Sequence, residues 1–311
     1  MRSVGIGLAL LAGMVLPAGI ATVAWGQIAA PSIVPGTLSS ENPAAIKWGA
    51  PSRLGAAAVS QRDVDNPGNH ATAYAGASGG FRLVGETLAL GAEGLHLEDQ
   101  ESNLHDVRDS SSAALALQTG NSIAWGLGYN TFKQTLNTVK TNSREPDFGI
   151  SLRLGEVWFV GGTVGRESLS HKDALLPAAD FYGERDVLRA GLGFRRGGTV
   201  LVHVEAFAIN KPDFDTKTQG KFGGEDTSGG TLEFTFWSFL LGGSTRHTQM
   251  HHALTDTIDH TTGDVGWAPR GGFSLTLHYE ETRVAFIQQP TDLVPPKKVS
   301  TLESVVLAYL F

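Results

Sequence analysis

The chain has 311 residues, 41% of them hydrophobic, with 39 glycines, no cysteine and a formal charge of −7. The acidic balance argues against a nucleic-acid partner, which calls for a basic face, and the lack of cysteine excludes disulfides and thiolate metal sites. Glycine runs near twice its usual ~7% without a collagen period, mean hydropathy is close to zero, and beyond residue 26 no apolar run reaches the ~20 residues of a spanning helix.

The first element is an export signal. Arg2 precedes "VGIGLALLAGMVLPAGIATVA", and "AWG" (Ala24 to Gly26) offers small residues where a signal peptidase reads, so residues 1–26 are expected to be removed before Gln27. An uncleaved anchor is the alternative, and Pro17 and Gly19, which interrupt the run, speak against it. Residues 27–51, "QIAAPSIVPGTLSSENPAAIKWGAP", show no alternation and carry Pro31, Pro35, Pro43 and Pro51. Their apolar Ile28, Ile33, Val34, Leu38, Ile46 and Trp48 favour a segment tucked into a lumen over a free tail.

Residues 52–311 read as strands of period two. In "SIAWGLGYNTF", Ile123, Trp125, Leu127 and Tyr129 point one way while Ala124, Gly126, Gly128 and Asn130 point the other. "DFGISLRLG", "TVLVHVEAFA", "TLEFTFWS" and "GFSLTLHYE" repeat the pattern. A helix would scatter their charges around its surface; a strand gathers them on one face. The predicted strands are 52–62, 70–83, 86–98, 107–119, 122–136, 146–154, 157–170, 182–196, 199–210, 229–237, 239–252, 265–279, 283–291 and 300–311. Connections after even strands are tight ("VGE", "TGNS", "GE", "RGG", "WSF", "EET") and those after odd strands long and polar, the asymmetry of bacterial outer-membrane barrels. A soluble β-sandwich gives no reason for that alternation. The expected fold is all-β: a transmembrane antiparallel barrel of about fourteen strands in the bacterial outer membrane.

The chain stops on "ESVVLAYLF". Val305, Leu307, Tyr309 and Phe311 share a face that is expected to meet lipid and lipopolysaccharide, with the aromatics in the interfacial girdle. A closing strand must pair with the first, since no sheet edge tolerates hydrocarbon. Tyr309 and the final Phe311 resemble the signal that the barrel-assembly machinery reads in its substrates.

The inward face is expected to carry Arg53, Glu93, Arg153, Arg189, His203, Glu205, Glu233, Arg246 and His278, either as a polar path or as a network filling a narrow barrel; the mixed signs favour the network. Gly79 and Gly80 are candidates for a strand kink, against the alternative that small residues suit a crowded wall. His247, His251, His252 and His260 near Asp256 and Asp259 match no defined metal spacing and are assigned to an outer loop. No signature joins a nucleophile to a base, and "GGTVGR" lacks the lysine of a phosphate loop. Neither enzyme activity, metal nor cofactor is expected.

"SSENPAAI" (Ser39 to Ile46) resembles the NPA signature of the FadL-type outer-membrane transporters of long-chain fatty acids and other hydrophobic compounds. Asn42, Pro43 and Ala44 are the matching positions. The resemblance implies a fourteen-stranded barrel plugged by an N-terminal hatch that holds those residues, a hydrophobic small-molecule ligand, and exit sideways at a kinked strand. The chain departs from the family in its short hatch and in lacking a long apolar outer loop. The alternatives are a general diffusion porin for small polar solutes and a non-transporting structural barrel.

Overall fold

A computed structural model describes residues 42–48, 52–65, 70–99, 105–177, 180–216, 220–251, 255–267, 272–286 and 297–310. The expected signal at 1–26, most of segment 27–51, His252 and Phe311 lie outside them. The described strands are β1 (Arg53–Asp65), β2 (His70–Val84), β3 (Leu88–Asp99), β4 (Asp106–Thr119), β5 (Ile123–Leu136), β6 (Val139–Leu154), β7 (Trp158–Asp173) and β8 (Phe181–Arg196). They continue as β9 (Val200–Lys211), β10 (Phe214–Thr216), β11 (Gly220–Phe222), β12 (Gly224–Phe236), β13 (Phe239–His251), β14 (Thr255–Trp267), β15 (Gly272–Phe286) and β16 (Lys297–Leu310).

Each long strand pairs antiparallel with its chain neighbours, β9 joins β12, and β1 pairs with β16 from Arg53↔Leu310 to Asp65↔Lys298. The result is a closed barrel of fourteen strands. The two extra strands, β10 and β11, form a hairpin that extends the wall beside the far end of β8. Closure leaves no backbone edge along the wall, the condition a sheet must meet in hydrocarbon.

Side chains alternate as the pleat requires. Leu127, Leu188, Leu241, Leu275, Leu277 and Leu307 point outward and are exposed, while Ala124, Glu205, Glu233 and Thr276 between such residues are buried inside. Apolar outside and polar inside inverts a soluble protein and matches a barrel whose outer solvent is lipid. Trp125, Trp158, Trp237, Trp267 and Tyr309 gather at the end of the short turns, with Phe273 and Tyr309 edge to face at 5.1 Å. They form an aromatic girdle.

The strands correct the sequence reading in three regions, the first being 211–228, read as one long loop, which holds β10, β11 and the start of β12. β6 begins at Val139, so β5 and β6 meet in a two-residue turn at Asn137 and Thr138, not in a long loop. Asn137 supplies the positive φ (52°) such a turn needs. Residues 255–264, read as loop, form strand β14 together with 265–267, which the sequence reading joined to the next strand, and the expected turn at 280–282 lies inside the continuous strand β15. The count of fourteen survives because one strand was missed and another was split. The strict alternation of short and long connections does not survive: 137–138 and 252–254 are short on the long-loop side.

Candidate functional site

The N-terminal motif folds into a 3-10 helix, Pro43–Lys47. Pro43 opens it, where a missing N–H costs nothing. Asn42 caps it from an extended conformation: its side-chain oxygen accepts from the Ala44 N–H at 3.0 Å. The other end of the same amide donates to the Ile150 carbonyl of β6 at 3.0 Å. Asn42, Ala44, Ala45 and Ile46 are wholly buried.

Glycines clear the bay in which this turn sits. A Cβ on Gly126 would stand 2.2 Å from the Ala44 nitrogen, and one on Gly149 would stand 2.1 Å from the Asn42 side-chain oxygen. On Gly128 it would meet the Pro43 ring at 3.3 Å. All three lie on the inward face of β5 and β6. Ile46 packs on Ala89 and Ala116, and Trp48 packs on Phe159 with ring centroids 6.4 Å apart. Lys47 Nζ donates to the Gly85 carbonyl in the β2–β3 turn at 2.8 Å, fixing the helix to the short-turn end. Burial lowers the Lys47 pKa, with Glu86 acting in the opposite direction.

Around this turn, at the same end of the barrel, the interior is charged, and Arg195 donates to the Trp48 carbonyl. Arg53 and Arg82 are directly opposed on β1 and β2, both buried, and Arg195, Glu93 and Glu233 act on the Arg82 charge from around the barrel. His203 Nδ1 pairs with Glu233 at 2.8 Å, and its Nε2 lies 3.5 Å from Glu205. On the β14–β15 wall His278 pairs with Asp264 at 2.9 Å, and Glu280 lies 3.2 Å from His260. Nearer the long loops, Arg185 bridges Glu167 and Glu225 at 2.7 and 2.6 Å and stacks on the Phe214 ring at 4.1 Å. Arg189 pairs with Glu145 and Asp147.

Of the nine residues expected inside, Arg53, Arg189, His203, Glu205, Glu233 and His278 are buried there, and Glu93, Arg153 and Arg246 are half-buried. Ser112 donates to Glu93 at 3.2 Å, and Arg246 covers the Phe207 ring at 5.3 Å. The structure gathers Arg53, Glu93 and Glu233 with His203 and Glu205, but puts Arg189 in a separate cluster. Sequence reasoning missed Arg82, Arg185 and Arg195, whose parity within β2 and β8 was the available signal. It also missed Glu145, because β6 was started too late, and Asp147, which lies inside the expected strand 146–154 with the same parity as Gly149 and Ser151.

At Gly79 and Gly80, the candidates for a kink, the ladder is unbroken. β2 keeps one register through both residues, Gly79 facing Ala56 and Gly94, and Gly80 facing Gly55 and Glu93. The wall is interrupted elsewhere: between β6 and β7 the ladder passes from Arg144↔Ser168 to Asp147↔Gly165. Glu145 and Pro146 are skipped, and Pro146 has no N–H to offer. The histidine-rich stretch lies on strands. His247 pairs with Asp259 and His251 with Asp226 on the outer face, while His260 turns inward. Among the described residues no group of three or more His, Asp or Glu is arranged to hold a metal ion.

No family model and no curated protein matches the sequence. The fold matches solved structures. The Pseudomonas putida toluene transporter TodX aligns over 92% of this chain and 97% of its own, at 9% identity and a TM-score of 0.53. A Pseudomonas aeruginosa FadL homologue aligns over 91% and 96% at 10% identity, with a TM-score of 0.57. The CymD monoaromatic hydrocarbon channel aligns over 87% and 91% at 12% identity, with a TM-score of 0.53. What the chain shares with them is a fold, that of the FadL-type outer-membrane channels.

Proposed function

We propose that the protein is a passive outer-membrane transporter of hydrophobic small molecules, closed toward the periplasm by the Asn42–Pro43–Ala44 turn. The observation that carries this is the pairing of that turn with its glycine bay: Gly126, Gly128 and Gly149 leave room for Asn42, Pro43 and Ala44 and for little else. The fold of the hydrocarbon channels supports it. The N-terminal strand start, the short turns and the C-terminal strand would all face the periplasm, and Tyr309 with Phe311 would be read by the assembly machinery.

Straight passage is unsuited to an apolar cargo. It would have to cross the layer of buried charge at Arg53, Arg82, Arg195 and Glu233, where an apolar molecule offers the ions nothing in place of water or a counter-charge. Exit through the wall avoids that layer, and the interrupted ladder at Pro146 between β6 and β7 takes the place of the kink expected at Gly79–Gly80. A second reading, a diffusion porin for polar solutes, draws on the same charged interior.

Conductance in planar bilayers separates the two. The intact protein is expected to be silent, and a chain lacking residues 27–47 to pass a steady current. An open intact protein would establish the porin, and silence from both would leave a barrel filled by its own side chains.

A further inference from the structure

The outer face carries a cluster of positive charge that transport does not use. On β5 the outward residues run Ile123, Trp125, Leu127 and Tyr129, then Thr131 and Lys133. Lys133 is ten residues above Ile123, which at ~3.3 Å per residue and a tilt near 40° is ~25 Å along the membrane normal. That equals the height of a barrel's apolar band. Arg144 stands equally far above Leu154 on β6. Both reach the level where hydrocarbon ends on the long-loop side.

Lys140 and Lys172 lie one to two pleats higher and directly face each other across β6 and β7. Lys133 is opposite Asn142, diagonal to both Lys140 and Arg144, within reach of long side chains. All four are exposed. Among the described residues no carboxylate pairs with any of them, although the barrel's other outward charges are largely in pairs, such as Arg166–Glu184, His247–Asp259 and Arg283–Glu281. Like charges directly opposed on one face destabilise a sheet. Asp109, directly opposite Lys133, is itself paired with His96, so in a chain of net charge −7 this remains a concentrated basic patch.

We infer that Lys133, Lys140, Arg144 and Lys172 form a binding site for the phosphates of lipid A, the phosphorylated glycolipid of the outer leaflet. Height, sign and the missing partners all fit that occupant. Its acyl chains would lie along Leu127, Tyr129 and Phe148 beneath the patch, where the wall is apolar and exposed. The inference rests on the outer-membrane placement proposed above and not on the transport reading.

The test is titration of the purified, folded barrel in detergent with bisphosphorylated lipid A and with its fully dephosphorylated form, read by native mass spectrometry. At least tenfold tighter binding of the phosphorylated form is expected, weakening as salt rises. The quadruple variant Lys133→Gln/Lys140→Gln/Arg144→Gln/Lys172→Gln should lose that preference, while Arg62→Gln on β1 should keep it. Equal binding of the two lipids, or a quadruple variant that still prefers phosphate, overturns the site. Displacement by inorganic phosphate at lipid A concentrations overturns the glycolipid assignment in favour of a free-anion site. Failure of the phosphorylated form to bind overturns the site outright. Should the quadruple variant not fold, Lys140→Gln/Lys172→Gln decides: removing the opposed pair should raise stability and still weaken the preference.

Discussion

The glycine bay makes a sharp prediction. Replacing Gly126 or Gly149 by alanine places a methyl group 2.2 Å from the Ala44 nitrogen or 2.1 Å from the Asn42 side-chain oxygen. Both neighbours are fixed: one is backbone, and the other is held by hydrogen bonds to Ala44 and Ile150. A forced fit in a packed interior costs typically 1–3 kcal/mol, enough to move a docked-to-undocked equilibrium roughly 5- to 150-fold. Gly128→Ala meets the Pro43 ring at 3.3 Å and the Asp147 Cβ at 3.4 Å, far milder approaches, and should be tolerated. In planar bilayers, Gly126→Ala and Gly149→Ala are therefore expected to flicker open, and Gly128→Ala to stay as silent as the parent. The barrel should remain folded in all three, shown by its heat-modified mobility on gels. If the two clashing variants are as silent as the parent, the docked turn is not what closes the barrel.

Two further predictions concern the wall. Arg185 is buried between Glu167 and Glu225; Arg185→Met strands those carboxylates and should cost about 3–5 kcal/mol, lowering the urea midpoint, and Glu167→Gln in the same chain should recover part of the loss. Leu127→Arg puts a cation on the lipid face and should cost about 2–4 kcal/mol in refolding into bilayers, while Thr131→Arg, nearer the interface, should cost about 0–1 kcal/mol; equal costs would mean that this face does not lie in hydrocarbon.

The barrel was legible because period two is imposed by the wall itself. Any strand with lipid on one side and charge on the other, such as 123–136 or 272–280, announces its faces. Legibility failed where the outer face leaves the hydrocarbon. In β14 the outward Asp259 and Thr261 and the inward His260 and Thr262 are all polar, so no alternation remains to be seen. The same holds for 139–145 of β6, whose outward Lys140, Asn142 and Arg144 resemble loop. Both segments lie above the apolar band, where a strand continues for its backbone hydrogen bonds alone. The site was legible in part. Asn42, Pro43 and Ala44 stood out as a motif, but the bay that receives them comes from glycines on two other strands, each of which reads as an ordinary small wall residue. The partners of the interior charges lie far apart in sequence, and only closure of the barrel brings Glu233 of β12 toward Arg53 and Arg82 of β1 and β2.

For the proposed transport, the same closure decides where a cargo would leave. A continuous antiparallel ladder is a fence of backbone hydrogen bonds, and opening it strands groups that hydrocarbon cannot satisfy. Between β6 and β7 two residues are already skipped, and Pro146 removes one donor for good, so parting the strands there costs less than along an unbroken ladder. The pair of Arg189 with Glu145 and Asp147 lies behind this point and must give way. Pro146 and Arg166 are on facing strands and on the same outward face, and the chain has no cysteine of its own. Pro146→Cys/Arg166→Cys, oxidised, should therefore abolish uptake of a hydrophobic probe such as toluene into cells, and reduction should restore it. The same cross-link in the chain lacking residues 27–47 should leave ionic conductance unchanged, because ions pass along the axis. Uptake that persists in the oxidised form would place the exit elsewhere; loss of ionic conductance would mean that the cross-link distorts the whole barrel, and the exit at Pro146 would lose its support.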